Sequence, residues 1–261
     1  HGNLIRPRFL SNHTHYSSTD ADARISVKPG KARQMNYSGQ IAVDDGHHVI
    51  TGAMADFADK RDSQSLPKIL EQTINNLEEE HITAEQITAD TGYSSGKALR
   101  VIEEKNIDAY IPNFGQYKYE REGFFYNKEK DQYECTRGNK AMLPFKKIAK
   151  SHDGSAMKVY RSSSKYCKDC PLRSRCIGKS DFKAITDSTD KPLYDKMHLK
   201  MQTDYAKRIM KRRSSTVEPV LGTLINFLNM KRVNTRGLKQ ANKHVLMAAL
   251  AYNLKKYLKF V

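Results

Sequence analysis

No apolar run in this 261-residue chain approaches the 18 or so residues that a membrane span requires, so no spanning helix and no membrane partner are expected. The opening residues, His1-Gly2-Asn3-Leu4-Ile5-Arg6, have neither the charged nor the apolar region of a secretory signal. They also lack an initiator Met, which reads as a piece of a longer chain. Cysteine is scarce. Four residues are too few for a disulfide scaffold of this length, and a reducing, cytoplasmic setting is expected. No internal repeat or low-complexity tract occurs. Acids run short towards the end: from Lys200 to Val261 there are 14 Lys and Arg against only Asp204 and Glu218.

What the chain has instead is positive charge. The formal net charge is +16 and the isoelectric point is near 9.6. An uneven excess of that size points to an anionic polymer such as DNA or RNA, bound with an affinity that falls steeply with salt. Lys211, Arg212, Arg213, Lys231, Arg232, Arg236 and Lys239 are the candidate phosphate contacts, acting on register more than on sequence.

The length allows one large domain with an insertion, or two small ones. Residues 1–35 are polar and irregular and read as an exposed loop. Tyr37 to Val43 and His48 to Met54 are β-like runs joined by Asp44-Asp45-Gly46, a hairpin signal. Asp62-Ser63 is a plausible helix cap, followed by Leu66, Ile69, Leu70, Ile74 and Leu77 at helical spacing. A strand leading to Asp90, a helix over Lys97 to Lys105 and a strand over Ile107 to Ile111 complete an α/β pattern with a mixed sheet. The Ile41, Ile50 and Ile87 segments are expected to be neighbours in that sheet. From Asn113 the texture changes to mixed aromatics and charges, and all four cysteines lie there. The expected divisions are 1–112, an inserted cysteine-rich subdomain at 113–190, and a helical part at 191–261. In the final helix Leu246, Ala249, Leu250, Asn253 and Leu254 share a face that reads as core.

Two acids carry the chemistry. Asp90 stands at a strand end, and Glu218 reads as a first-turn residue of an apolar helix behind Lys211-Arg212-Arg213. Alone, each has a plain structural reading: Asp90 as a turn or cap residue, and Glu218 as an acid favoured by the helix dipole with Pro219 at the first position. Together, within phosphate-binding charge, they suggest carboxylates holding Mg²⁺ or Mn²⁺ for work on phosphodiesters. Cys167-x₂-Cys170-x₅-Cys176 with Cys135 upstream has the bite of a closed structural Zn²⁺ site. An Fe–S cluster, buried free thiols and a disulfide stay open as alternatives.

Ala89-Asp90-Thr91-Gly92-Tyr93 and Val217-Glu218-Pro219-Val220-Leu221-Gly222 are similar to the Ala-Asp-x-Gly-Tyr and Val-Glu-Pro-x-x-Gly motifs of bacterial insertion-sequence transposases of the DDE type. Thr19-Asp20-Ala21-Asp22-Ala23-Arg24, Arg236-Gly237-Leu238 and Tyr252-Asn253-Leu254-Lys255-Lys256 resemble the same family, as does the cysteine-bearing insertion. The resemblance implies an RNase H-like α/β core, a mixed sheet flanked by helices. It implies metal-dependent hydrolysis and strand transfer at transposon ends, double-stranded DNA as partner, a homodimer in the synaptic complex and a place on the bacterial nucleoid. It assigns Asp90 and Glu218 as catalytic metal ligands and expects the first acid upstream of His1, with Asp44 and Asp45 as fallback candidates. Asp62 resembles a recurrent family Asp, though capping explains it equally well. Ile225 departs from the pattern, because the family usually has a Lys there. The rival reading is a non-catalytic DNA-binding remnant.

Overall fold

The computed structural model describes residues 11–26, 33–115, 117–151 and 154–259. The architecture is mixed α/β, and contacts divide it into one unit of residues 1–112 with 200–261 and a second of residues 113–199.

In the first unit, β1 (Arg24–Ile25) pairs antiparallel with the start of β2 (Met35–Val43), and β2 pairs antiparallel with β3 (Ile50–Phe57). The hairpin expected from Asp44-Asp45-Gly46 is present. Both Asp44 carboxyl oxygens accept backbone N–H groups of the turn, from Gly46 and His47, which explains that residue as turn chemistry. Helix α1 (Asp62–Glu78) buries Leu66, Ile69 and Leu70. Its cap is Arg61 and not Asp62, and the Arg61 N–H is taken up by the Gln64 side chain. Gly52 lets α1 lie close on β3, since a Cβ there would stand 2.3 Å from the Thr73 hydroxyl.

Then follow β4 (Gln86–Thr88), a 3₁₀ turn over Thr91–Tyr93, α2 (Gly96–Glu104) capped by Ser95, and β5 (Asp108–Tyr110). β4 and β5 form a parallel pair of their own. This corrects the expectation that the Ile87 strand joins the Ile41 and Ile50 strands. With only three residues, β4 uses its ladder on β5 and pairs with no other strand among the described residues.

Helices α6 (Asp204–Asn226) and α7 (Leu238–Tyr257) close the unit. Val220 and Leu224 of α6 and Ala241, Val245, Ala248, Ala249 and Tyr252 of α7 form one core with Ile50, Ala53 and Ala55 of β3. The two family-like segments at either end of the unit meet here. Asp22 accepts the Leu238 N–H at the start of α7, while Asp20 accepts the N–H of Gly237, whose φ of +82° suits glycine. Two asparagines then fasten α7 to the outer edge of β3. Asn242 accepts the Ala55 N–H, and Asn253 both accepts the Ile50 N–H and donates to the Ile50 carbonyl. This corrects the expected apolar face. Ala249 and Asn253 turn inward, whereas Leu246, Leu250 and Leu254 are exposed.

The second unit is an antiparallel sheet in the order β10-β9-β8-β7-β6. Its strands are β6 (Phe124–Asn127), β7 (Gln132–Cys135), β8 (Met142–Lys150), β9 (Ala156–Arg161) and β10 (Ala184–Ser188). The short helices α3 (Ser164–Cys167) and α4 (Arg173–Cys176) lie between β9 and β10. Tyr133, Leu143, Tyr160 and Ile185 make its core. Helix α5 (Lys191–Met201) starts in this unit: buried Lys191 pairs with Asp195 at 2.9 Å, and Tyr194 stacks on Tyr117. The expected boundary at 191 therefore falls too early.

Candidate active site

Asp90 follows β4 by two residues and caps the 3₁₀ turn, its Oδ1 accepting the Gly92 N–H at 2.8 Å. A capping role and a catalytic one are compatible here, because the cap engages Oδ1 alone. Oδ2 faces Arg213 of α6 at 3.5 Å, a long contact between a half-exposed carboxylate and a mostly covered guanidinium. Gly92 is the pivot. A Cβ on it would stand 2.9 Å from Asp62 Oδ2 and 3.0 Å from Asp90 Oδ1, so both carboxylates border one small space above a residue without a side chain.

The surroundings are polar and ordered. Gln40, almost wholly buried in β2, donates to Asp62 Oδ1 at 3.2 Å and to Ser38 at 3.0 Å, and accepts the Tyr93 hydroxyl. Burial, then the charges of Asp62 and Asp90, push the Tyr93 hydroxyl above its ordinary value, with Arg213 opposing. Tyr93 is therefore a neutral donor near two acids. Sequence reading did not single out Ser38, Gln40 or Tyr93 as a group. The signal was a Gln inside an apolar strand run.

Glu218 lies elsewhere than expected. It is the fifteenth residue of α6, not a first-turn residue, because Thr203 caps the helix far upstream through the Ala206 N–H. Pro219 sits inside the helix, where its ring nitrogen cannot bond the Ser215 carbonyl. Arg213, Thr216, Val220 and Leu224 fall on one stripe at helical spacing, the last three buried. Glu218, five residues beyond Arg213, points about 140° away around the axis and is exposed. Among the described residues, no group of three or more His, Cys, Asp or Glu side chains stands close enough to hold a metal ion.

The remaining candidate cations are at the surface. Lys211 and Arg212 are exposed on α6, and Arg212 pairs with Asp45 at 3.0 Å. Lys231, Arg232 and Arg236 are exposed on the segment between α6 and α7, and Lys239 on the first turn of α7.

In the second unit, Cys135, Cys167, Cys170 and Cys176 line one cavity of about 470 Å³ together with Arg137, Arg173 and Lys183. All four are free thiols. Their sulfurs have separate engagements: Cys135 donates to the Arg137 carbonyl at 2.7 Å, and Cys167 lies 3.1 Å from the Ser162 hydroxyl. Gly138 gives Cys170 room, since a Cβ there would come within 2.6 Å of its sulfur.

Residues 134–258, which include Glu218 and all four cysteines, match the family model described as Transposase DDE domain. The match supports a DDE-type transposase catalytic region, the family that the motifs resemble. Asp62 and Asp90 precede the matched stretch. No curated protein and no solved structure matches the chain. No helix among the described residues is long and apolar enough to cross a membrane.

Proposed function

We propose that this chain is the catalytic portion of a DNA transposase with an RNase H-like core, hydrolysing phosphodiesters at transposon ends and joining them to target DNA. The observation that carries the proposal is the meeting of Asp62 and Asp90 over Gly92, with Arg213 on Asp90. Carboxylate oxygens are the donor type that Mg²⁺ or Mn²⁺ prefers, although the described residues bring two such groups together and no third. Asp90 would hold the cation beside Asp62, with Glu218 as the family's further acid. Such a cation, when bound, activates the attacking oxygen and stabilises the leaving one.

The side chains have separate tasks. Gln40 fixes the Asp62 carboxylate by a hydrogen bond, and the neutral Tyr93 holds Gln40 in turn by donating to its side-chain carbonyl. Arg213 balances charge at Asp90 and stands where a phosphate would arrive. Exposed Lys211, Arg212, Lys231, Arg232, Arg236 and Lys239 set the register of the duplex through its backbone. The four cysteines match a structural Zn²⁺ in donor type, yet Cys135 and Cys167 would first have to turn from Arg137 and Ser162.

Asp90→Asn and Glu218→Gln test the catalytic reading, since each keeps side-chain size and removes charge. Cleavage of end-containing duplex in Mg²⁺ should fall at least about 100-fold, while duplex binding stays within about twofold. Retained cleavage overturns the assignment. Binding without any cleavage by the native protein would favour the DNA-binding remnant.

A further inference from the structure

Helix α6 ends on an uncovered aromatic ring. By helical spacing Phe227 continues the stripe of Val220 and Leu224, which are fully buried, yet Phe227 is 79% exposed. The helix stops at Asn226, and the core contacts pass to Leu228, Met230 and Val233 of the segment that follows.

A single apolar side chain on a surface needs no explanation by itself. This one stands on an anchored backbone. The Phe227 and Leu228 N–H groups both donate to the Thr223 carbonyl, at 2.9 and 3.2 Å, and the Met230 N–H donates to the Leu224 carbonyl at 3.0 Å. Asn229 takes a left-handed φ of 58°, and its carbonyl meets His244 Nε2 of α7 at 3.1 Å. The Met230 methyl reaches β2, where a Cβ on Gly39 would stand 3.2 Å from it. The ring is presented by an ordered chain, so little backbone freedom is left to lose when something covers it.

The charge around the ring says what kind of cover fits. From Pro219 to Val261 there are eight Lys and Arg and no Asp or Glu. Lys231, Arg232, Arg236 and Lys239 follow the ring closely in sequence, are exposed, and enter no ion pair among the described residues. An apolar protein groove would take the ring but strip water from those cations, and an acidic protein surface would leave the ring uncovered. A nucleic acid with an open base satisfies both, because its phosphates pair with the cations while the base face covers the ring. In an intact duplex the base faces are stacked on one another, so the ring needs a strand end, a mismatch or an unpaired base.

We propose that Phe227 is a stacking residue for an unpaired DNA base, with Lys231, Arg232, Arg236 and Lys239 holding the neighbouring phosphates. The inference rests on DNA as the partner and adds to it a preference for opened over fully paired DNA.

The chain has no tryptophan, so Phe227→Trp places a lone fluorophore where the ring stands. The full chain is titrated with a paired duplex of about 20 base pairs and with the same duplex carrying an overhang of about four nucleotides. The native protein should bind the overhang duplex about tenfold more tightly. Phe227→Ala should lose that preference and bind the paired duplex within about twofold of native, with melting unchanged because the side chain is on the surface. Phe227→Trp should keep the preference, with emission quenched by at least about half by overhang DNA and hardly by paired DNA. Lys231→Gln/Arg232→Gln should weaken both complexes alike. Equal native affinity for the two DNAs, an alanine variant with the native preference, or Trp emission unmoved at saturating overhang DNA overturns the inference and leaves DNA binding in place. Unchanged binding by the glutamine pair overturns its phosphate contacts. A native protein that binds neither DNA overturns the inference together with the DNA reading.

Discussion

Replacing Gly92 by Ala tests the site at its narrowest point. The glycine does not occupy the left-handed region, so alanine takes up the backbone without strain. The added Cβ would stand 2.9 Å from Asp62 Oδ2 and 3.0 Å from Asp90 Oδ1, where ordinary contact begins near 3.4 Å. Each carboxylate must yield by about half an ångström. Misplacing a reacting group by about 1 Å costs on the order of 100-fold in rate, so a shift of half that size should lower Mg²⁺-dependent cleavage about tenfold. Stability should hardly move. The side-chain ends can swing, and alanine narrows the unfolded ensemble by about 0.4–1 kcal/mol, which offsets the crowding. The assay is cleavage of end-containing duplex measured beside urea unfolding of the same preparation. Cleavage within twofold of the native protein, with unfolding unchanged, would refute the idea that the space over Gly92 belongs to the reaction.

Two further outcomes follow. Asn253→Ala leaves the Ile50 N–H and carbonyl unpaired beside the core and should cost about 2–4 kcal/mol in urea unfolding at unchanged m; a loss under about 1 kcal/mol would contradict the clamp. Protein purified without chelators should carry about one Zn²⁺ per chain, lost when Cys167 and Cys170 are both changed to Ser; a metal-free protein with four freely reactive thiols would end the zinc proposal.

The first unit was partly legible in the sequence, and its misreadings have physical causes. The β2–β3 hairpin announces itself through the Asp-Asp-Gly turn signal between two β-like runs, and α1 through five apolar residues on one stripe. Glu218 was misplaced along its helix because Pro219 looks like a first-turn proline, whereas Thr203 supplies the true cap fifteen residues before it. In α7, leucines on one side and alanines on the other left no polar stripe to orient the helix. Asn253 was therefore grouped with Leu250 and Leu254 although it serves the opposite side. The five strands of the second unit went unseen because two of their largest buried residues are tyrosines. Tyr133 and Tyr160 keep their hydroxyls on Asp187 and Asp131 while burying their rings, and such residues do not alternate cleanly between apolar and polar. At the site, Asp90 was legible from its motif, but the role of Gln40 depends on a hairpin and a turn that meet only in three dimensions.

The two asparagines on α7 also act as a length gauge. From Asn242 to Asn253 the helix advances eleven residues, about 16 Å at its rise of 1.5 Å, and from Ile50 to Ala55 the strand advances five, again about 16 Å at 3.3 Å each. The marks agree at both ends only for those two counts. Deleting one residue from the strand shifts it by about 3.3 Å and turns its buried side outward, and deleting one from the helix rotates the rest by about 100°. Either change releases one asparagine from its target. Residues 227–237 can change length without disturbing the gauge, while the stretch of α7 that spans both asparagines keeps a fixed length against β3.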